Sequence, residues 1–209
     1  MNTKQHSHFL KNLTRVLGAC GLIVMTTAKG TLVSQDLSTP SDNQLTYDSN
    51  TGLDWLDLTN TYRESPADVL GGFGGYTTTL GFRYATEGEF LTLLTHAGIT
   101  PGHSTSGDIT NINNTRTLIN LLSVTYSDGH TYLSNGILAD SPLGDYRAGA
   151  LAVNDIGEYD AVTGSLSEVQ GYFNSTGWGS FLVREHKPLQ SLSQQLSGYS
   201  VRLWRGWAL

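Results

Sequence analysis

Leu45-Thr46-Tyr47-Asp48-Ser49-Asn50-Thr51-Gly52-Leu53-Asp54-Trp55-Leu56-Asp57-Leu58 sets two short apolar runs on either side of a turn-rich stretch. Leu45 to Tyr47 and Leu53 to Leu58 read as strands. Asp48 to Gly52 between them collects the residue types that tolerate tight-turn backbone. The stretch is predicted to be a β-hairpin, and so short a connection can only join antiparallel neighbours. Trp55 alternates with Leu53 and is predicted to be core.

Downstream, Ser65-Pro66-Ala67-Asp68 carries a helix start: a capping serine, proline at the first helical position and an acid near the positive end of the dipole. Gly71-Gly72-Phe73-Gly74-Gly75 stops that helix early. A phosphate-cradling glycine loop needs a strand before it and a helix after it, so this one reads as a connector. Thr86-Glu87-Gly88-Glu89 is a capping box. Phe90, Leu91, Leu93, Leu94 and Ala97 follow as an apolar face, and Gly98 ends the helix. A further helix is predicted from Thr115 to about Ser123. The polar run Thr100 to Asn114 reads as a long loop of the kind that binds ligands.

Beyond it the pattern turns to strands. Thr131 to Leu138 contains Asn135-Gly136, which predicts a tight hairpin turn. Tyr146 to Val153 and Phe181 to Val183 are further strands. The order of strands, helices and strands predicts a single α+β domain over residues 45–185, with antiparallel sheet and two or three short helices.

The ends of the chain differ from this core. Residues 1–28 are predicted to be a secretory signal peptide: Lys4, Lys11 and Arg15, an apolar run from Val16 to Met25, then Thr26-Thr27-Ala28. The apolar run is too short to span a bilayer, which takes about 20 residues. Cys20, the single cysteine, allows a lipobox as the alternative, although the apolar stretch continues past it. Residues 29–44 read as a polar leader. Residues 186–209 form a basic tail with Lys187, Arg202 and Arg205 and no acid. Its leucine and aromatic spacing allows an amphipathic helix, and a bland tail is the competing reading.

Of 209 residues only 14% are charged, and the formal net charge is −6. Cleavage after Ala28 would remove three of the 12 basic residues and none of the 18 acids, giving −9. Such a surface repels phosphate backbones, so nucleic acid is not an expected partner.

Three stretches together carry a resemblance: Thr51-Gly52-Leu53-Asp54-Trp55-Leu56-Asp57, the run from Gly81 to Phe90, and Gly179-Ser180-Phe181-Leu182-Val183-Arg184. They resemble exported bacterial proteins of the PEP-CTERM-sorted kind and, more distantly, the C-terminal domain of Legionella collagen-like proteins, the DUF1566 domain. Arg83, Thr86, Glu89, Val183 and Arg184 fall on that family's positions, while Phe82 and Ala85 replace its Trp and Pro. The resemblance implies an extracellular domain with a C-type-lectin-like arrangement and a role in adhesion or glycan binding. The tail departs from the PEP-CTERM pattern, lacking both Pro-Glu-Pro and a spanning segment.

Candidate site residues divide into two groups. Asp48, Asn50 and Gly52 match the opening of a calcium loop, with Asp54 and Asp57 beyond, so calcium would be held by Asp48, Asn50 and Asp54. The bidentate glutamate of an EF-hand is absent, and a plain hairpin turn is the competing reading. Trp178, Tyr172 and Tyr76 are the candidates for stacking on sugar rings, with Trp178 predicted to be exposed between two glycines. Histidines 96, 103, 130 and 186 lack metal-ligand spacing. Ser104, Ser106 and Asp108 near His103 lack a nucleophile elbow. Carboxylates among Asp54, Asp57, Glu87, Glu89, Asp140 and Asp145 could serve a hydrolase, with Glu87 and Glu89 better explained by capping.

The expected function is therefore an exported, extracellular or envelope-associated domain that binds or adheres without catalysis, with carbohydrate as the expected ligand and no obligatory cofactor. A secreted glycoside or polysaccharide hydrolase and a structural envelope protein without a small ligand are the alternatives.

Overall fold

The computed structural model describes residues 31–105, 108–139, 146–165 and 177–187. The predicted signal peptide, Ser106, Asp140, Asp145, Tyr172 and the tail from residue 188 lie outside the described residues.

The predicted hairpin forms. Strands β2 (Leu45–Asp48) and β3 (Leu53–Leu56) pair antiparallel with Asp48 opposite Leu53 and Tyr47 opposite Asp54. The turn closes on Asp48, whose carboxylate accepts from the Asn50 amide at 2.9 Å and the Thr51 hydroxyl at 2.9 Å. Gly52 sits there at φ +72°, a conformation that a side chain would strain.

The hairpin seeds a five-stranded, wholly antiparallel sheet. Its order is β1 (Leu32–Gln35), β2, β3, β11 (Leu182–Glu185), β4 (Arg83–Tyr84). The stretch read as a polar leader thus contributes β1, the edge strand. Its four residues, Leu32-Val33-Ser34-Gln35, are too few and do not alternate, so they do not stand out without the partner strand.

The second sheet runs β10 (Gly179–Ser180), β7 (Thr131–Leu138), β8 (Arg147–Asn154), β9 (Glu158–Ser165), β5 (Gly102–Thr105), and β6 (Tyr126–Ser127) also pairs with β7. It is antiparallel except where β10 joins β7. The molecule is α+β, as predicted, with helices α1 (Pro66–Leu70), α2 (Glu87–His96) and α3 (Ile109–Leu122). None of the helices among the described residues is long and apolar enough to cross a membrane.

Two further sequence expectations fail in the fold. Asn135-Gly136 is not a hairpin turn; it lies in the middle of the unbroken strand β7. Gly136 is there for close packing. A Cβ on it would meet the Phe181 ring at 2.7 Å and Leu58 at 2.8 Å. The Thr100–Asn114 stretch is not one long loop either. It contains β5 and the first turns of α3, which starts after Asp108 instead of at Thr115. Asp108 caps that start by accepting from the Asn111 amide at 3.1 Å. The Asn-rich opening turns have weak helix propensity, which hid them.

One core joins both sheets to both long helices. Trp55 and Val183 come from the first sheet, and Leu151, Val153, Tyr159 and Ala161 from the second. Phe90, Leu93 and Leu94 of α2 and Ile112, Leu118, Ile119 and Leu122 of α3 complete it. On its other face the first sheet buries Leu45, Leu56 and Leu182 against Val69 and Phe82.

Candidate functional site

The alternation of a strand decides what the hairpin carboxylates can do. Asp48 shares a face with Leu53, and Asp54 shares the opposite face with Tyr47. Both are buried, at 1% and 0% exposure. Asp48 accepts from His96 Nδ1 at 2.7 Å on the helix side. Asp54 accepts from His186 Nδ1 at 2.7 Å and from Arg184 Nε at 3.2 Å on the other. Asn50 contacts Asp48 through its backbone amide. The three residues proposed for calcium are therefore not brought together: each buried carboxylate already has a histidine as its partner. Among the described residues, no group of three or more His, Cys, Asp or Glu is placed to hold a metal ion.

The two described aromatic candidates, Tyr76 and Trp178, are also taken up by packing. Tyr76 is half-buried beside the Leu45, Leu56 and Phe82 cluster, edge-on to Phe82, and its hydroxyl donates to Asn60 Oδ1 at 3.1 Å. Burial raises its hydroxyl pKa. Trp178, predicted to be exposed, is half-buried against Leu133, Ala148, Ala150 and Ala152. Gly177 before it lies against the Tyr62 ring, and the Trp178 carbonyl accepts from the Arg63 amide at 2.8 Å. Trp55 is core, as predicted.

The other described candidate carboxylates, Glu89, Glu87 and Asp57, are held as well. Glu89 completes the capping box at Thr86 and forms a two-point pair with Arg83. The Arg83 guanidinium and the Thr86 backbone hold its pKa down at about 2. Glu87 accepts from Thr163 at 2.7 Å and from Arg147, which lowers its pKa. Asp57 accepts from the Ser123 hydroxyl at 2.7 Å, and burial pushes its carboxyl pKa up to about 6.

A cleft of about 210 Å³ opens beside His96. Thr31 and Leu32 of the β1 edge form one wall, His96 and Ala97 at the end of α2 a second, and Asn114, Thr117, Leu118 and Leu121 of α3 the third. The α3 residues lie three, four and seven apart, which puts them in one stripe of a helix. Sequence reading missed the cleft because it placed Thr31 and Leu32 in a polar leader and Asn114 in a loop, although Thr117, Leu118 and Leu121 lay in the predicted helix. Asp48 fixes the His96 ring from behind. Asn114 Nδ2 donates to the Gly98 carbonyl at 2.9 Å, and the Thr117 hydroxyl donates to the Asn113 carbonyl at 2.9 Å. The lining therefore combines leucine and alanine side chains with imidazole, amide and hydroxyl groups.

No protein-family model, no curated protein and no solved structure matches the chain.

Proposed function

We propose that this is an exported, non-enzymatic binding domain that works outside the cytoplasm, released or at the cell envelope, and takes carbohydrate. The observation that carries the reading is the cleft at His96. Its leucine and alanine side chains suit the C–H face of a sugar ring, and its amide, hydroxyl and imidazole groups suit the ring's hydroxyls. At about 210 Å³ it has room for roughly seven waters at ~30 Å³ each. That is less than the ~300 Å³ at which drug-sized pockets begin, so one sugar ring or chain end is the natural occupant. The predicted signal peptide and the low content of charged residues support the location.

The hydrolase alternative needs two carboxyls facing each other across a cleft. Asp54, Asp57, Glu87 and Glu89 are each held by a structural partner, and none lines this one. The test is a panel of soluble and insoluble polysaccharides, assayed for retention of the protein and for new reducing ends. Retention without new reducing ends is the expected result. New reducing ends would establish the hydrolase. No retention, with self-assembly at modest concentration, would favour a structural envelope protein.

A further inference from the structure

Three polar side chains lining the cleft, His96, Asn114 and Thr117, have their donor and acceptor capacity partly spent, and what remains on them, together with the Thr31 hydroxyl as one donor and one acceptor, defines the ligand. The buried Asp48 carboxylate accepts from His96 Nδ1, which places the proton of the neutral ring on Nδ1. Nε2 then carries a lone pair, and no described residue bonds to it. The Thr117 hydroxyl hydrogen is committed to the Asn113 carbonyl, so its oxygen can only accept. Asn114 has spent one amide hydrogen on the Gly98 carbonyl and keeps its oxygen and one N–H. Acceptors therefore outnumber donors in this lining.

The field points the same way. His96 is the last residue of α2, so the cleft lies at the partially negative end of that helix. Asp48 lies behind the imidazole, and the chain as a whole is acidic. An anionic ligand would meet repulsion with no arginine or lysine in the described lining to offset it.

Resting on the binding reading above, we infer that the His96 cleft takes a hydroxyl- or ammonium-donating sugar, neutral or amino, in preference to an acidic one. One donor of the ligand bonds to His96 Nε2, and others reach Thr117 and Asn114. Asp48 is a positioning residue: it holds the ring in the tautomer that accepts.

The test is ¹⁵N NMR of the imidazole side chains in the purified wild-type protein above neutral pH. The probes are a neutral N-acetylglucosamine oligomer, a glucosamine oligomer and an oligogalacturonate. The free protein should show His96 as the Nδ1–H tautomer. Its Nε2 signal should move on titration with either of the first two and stay still with the third. His96→Ala should weaken binding about tenfold, the loss of one good hydrogen bond, and His96→Gln guards against a folding defect in that variant. His186→Ala, on the opposite face of the hairpin, should bind normally. Binding of a neutral or amino oligomer with the His96 nitrogen unmoved would overturn the cleft assignment and leave the carbohydrate reading standing. Equal or tighter binding of the oligogalacturonate would overturn the ligand class. If none of the three binds, and the polysaccharide panel is also blank, the carbohydrate reading fails and this inference fails with it.

Discussion

Asp57 is 7% exposed, with one carboxylate oxygen on Ser123 and the other without a partner among the described residues. Ser123 itself sits at φ +71°, ψ +146°, near a region that is almost confined to glycine. It is held there by the Asp57 contact and by Ser134, whose hydroxyl donates to its carbonyl at 2.7 Å. Burial raises the Asp57 pKa from 3.8 to about 6, so the folded state holds the proton more tightly than the unfolded chain does. Its contribution to stability is complete below about pH 4 and is lost as pH rises through about 6. Denaturant titrations across that window should show this fall, and Asp57→Asn should remove it; an unchanged slope in the variant would assign the fall to other groups. Glu89 acts in the opposite sense, since its pKa is lowered to about 2: its contribution is present above about pH 4.5 and lost only in strong acid. Little of this is readable from sequence. Asp48 and Asp54 looked alike in the linear string, and the two-residue period of the strand separates them. The histidines that engage them lie 48 and 132 positions away.

At the scale of elements, local signals were read correctly where the local chain alone decides. The Thr86–Glu89 capping box forms with both of its hydrogen bonds. Thr86→Ala should cost about 1 kcal/mol in urea unfolding. Ser65 caps α1 by accepting from the Asp68 amide, as expected. Reading failed where packing overrides propensity. Asn-Gly signals a turn only if the chain is free to turn, and here Phe181 and Leu58 close over Gly136. Gly136→Ala should therefore destabilise by about 1–3 kcal/mol through overpacking, measured by the same denaturation. A neutral or stabilising effect would mean that the strand has room to spare. The residues of the family resemblance fall largely on such structural roles. Arg83, Thr86 and Glu89 make the cap and its ion pair, and Arg184 pairs with Asp54.

At the scale of the molecule, the two sheets and α2 meet at a pair of rings. Phe90 of α2 and Phe181 before β11 lie 4.7 Å apart, and both approach Gly149 of β8. Phe90→Ala should cost about 3–5 kcal/mol. It should lower unfolding signals from helix and sheet together, because one core serves both. Separate transitions would contradict a single cooperative unit. The fold class was legible in the order of strand and helix signals. The cleft was not, because it is assembled from β1, α2 and α3, and two of those were misplaced in the linear reading.

The most direct measurement is a backbone amide chemical-shift map of the protein during titration with a neutral oligosaccharide. Binding in the cleft predicts perturbations gathered at Thr31–Leu32, His96–Ala97 and Asn114–Leu121. Perturbations gathered around Trp178 and Tyr76, or none at saturating sugar, would contradict it.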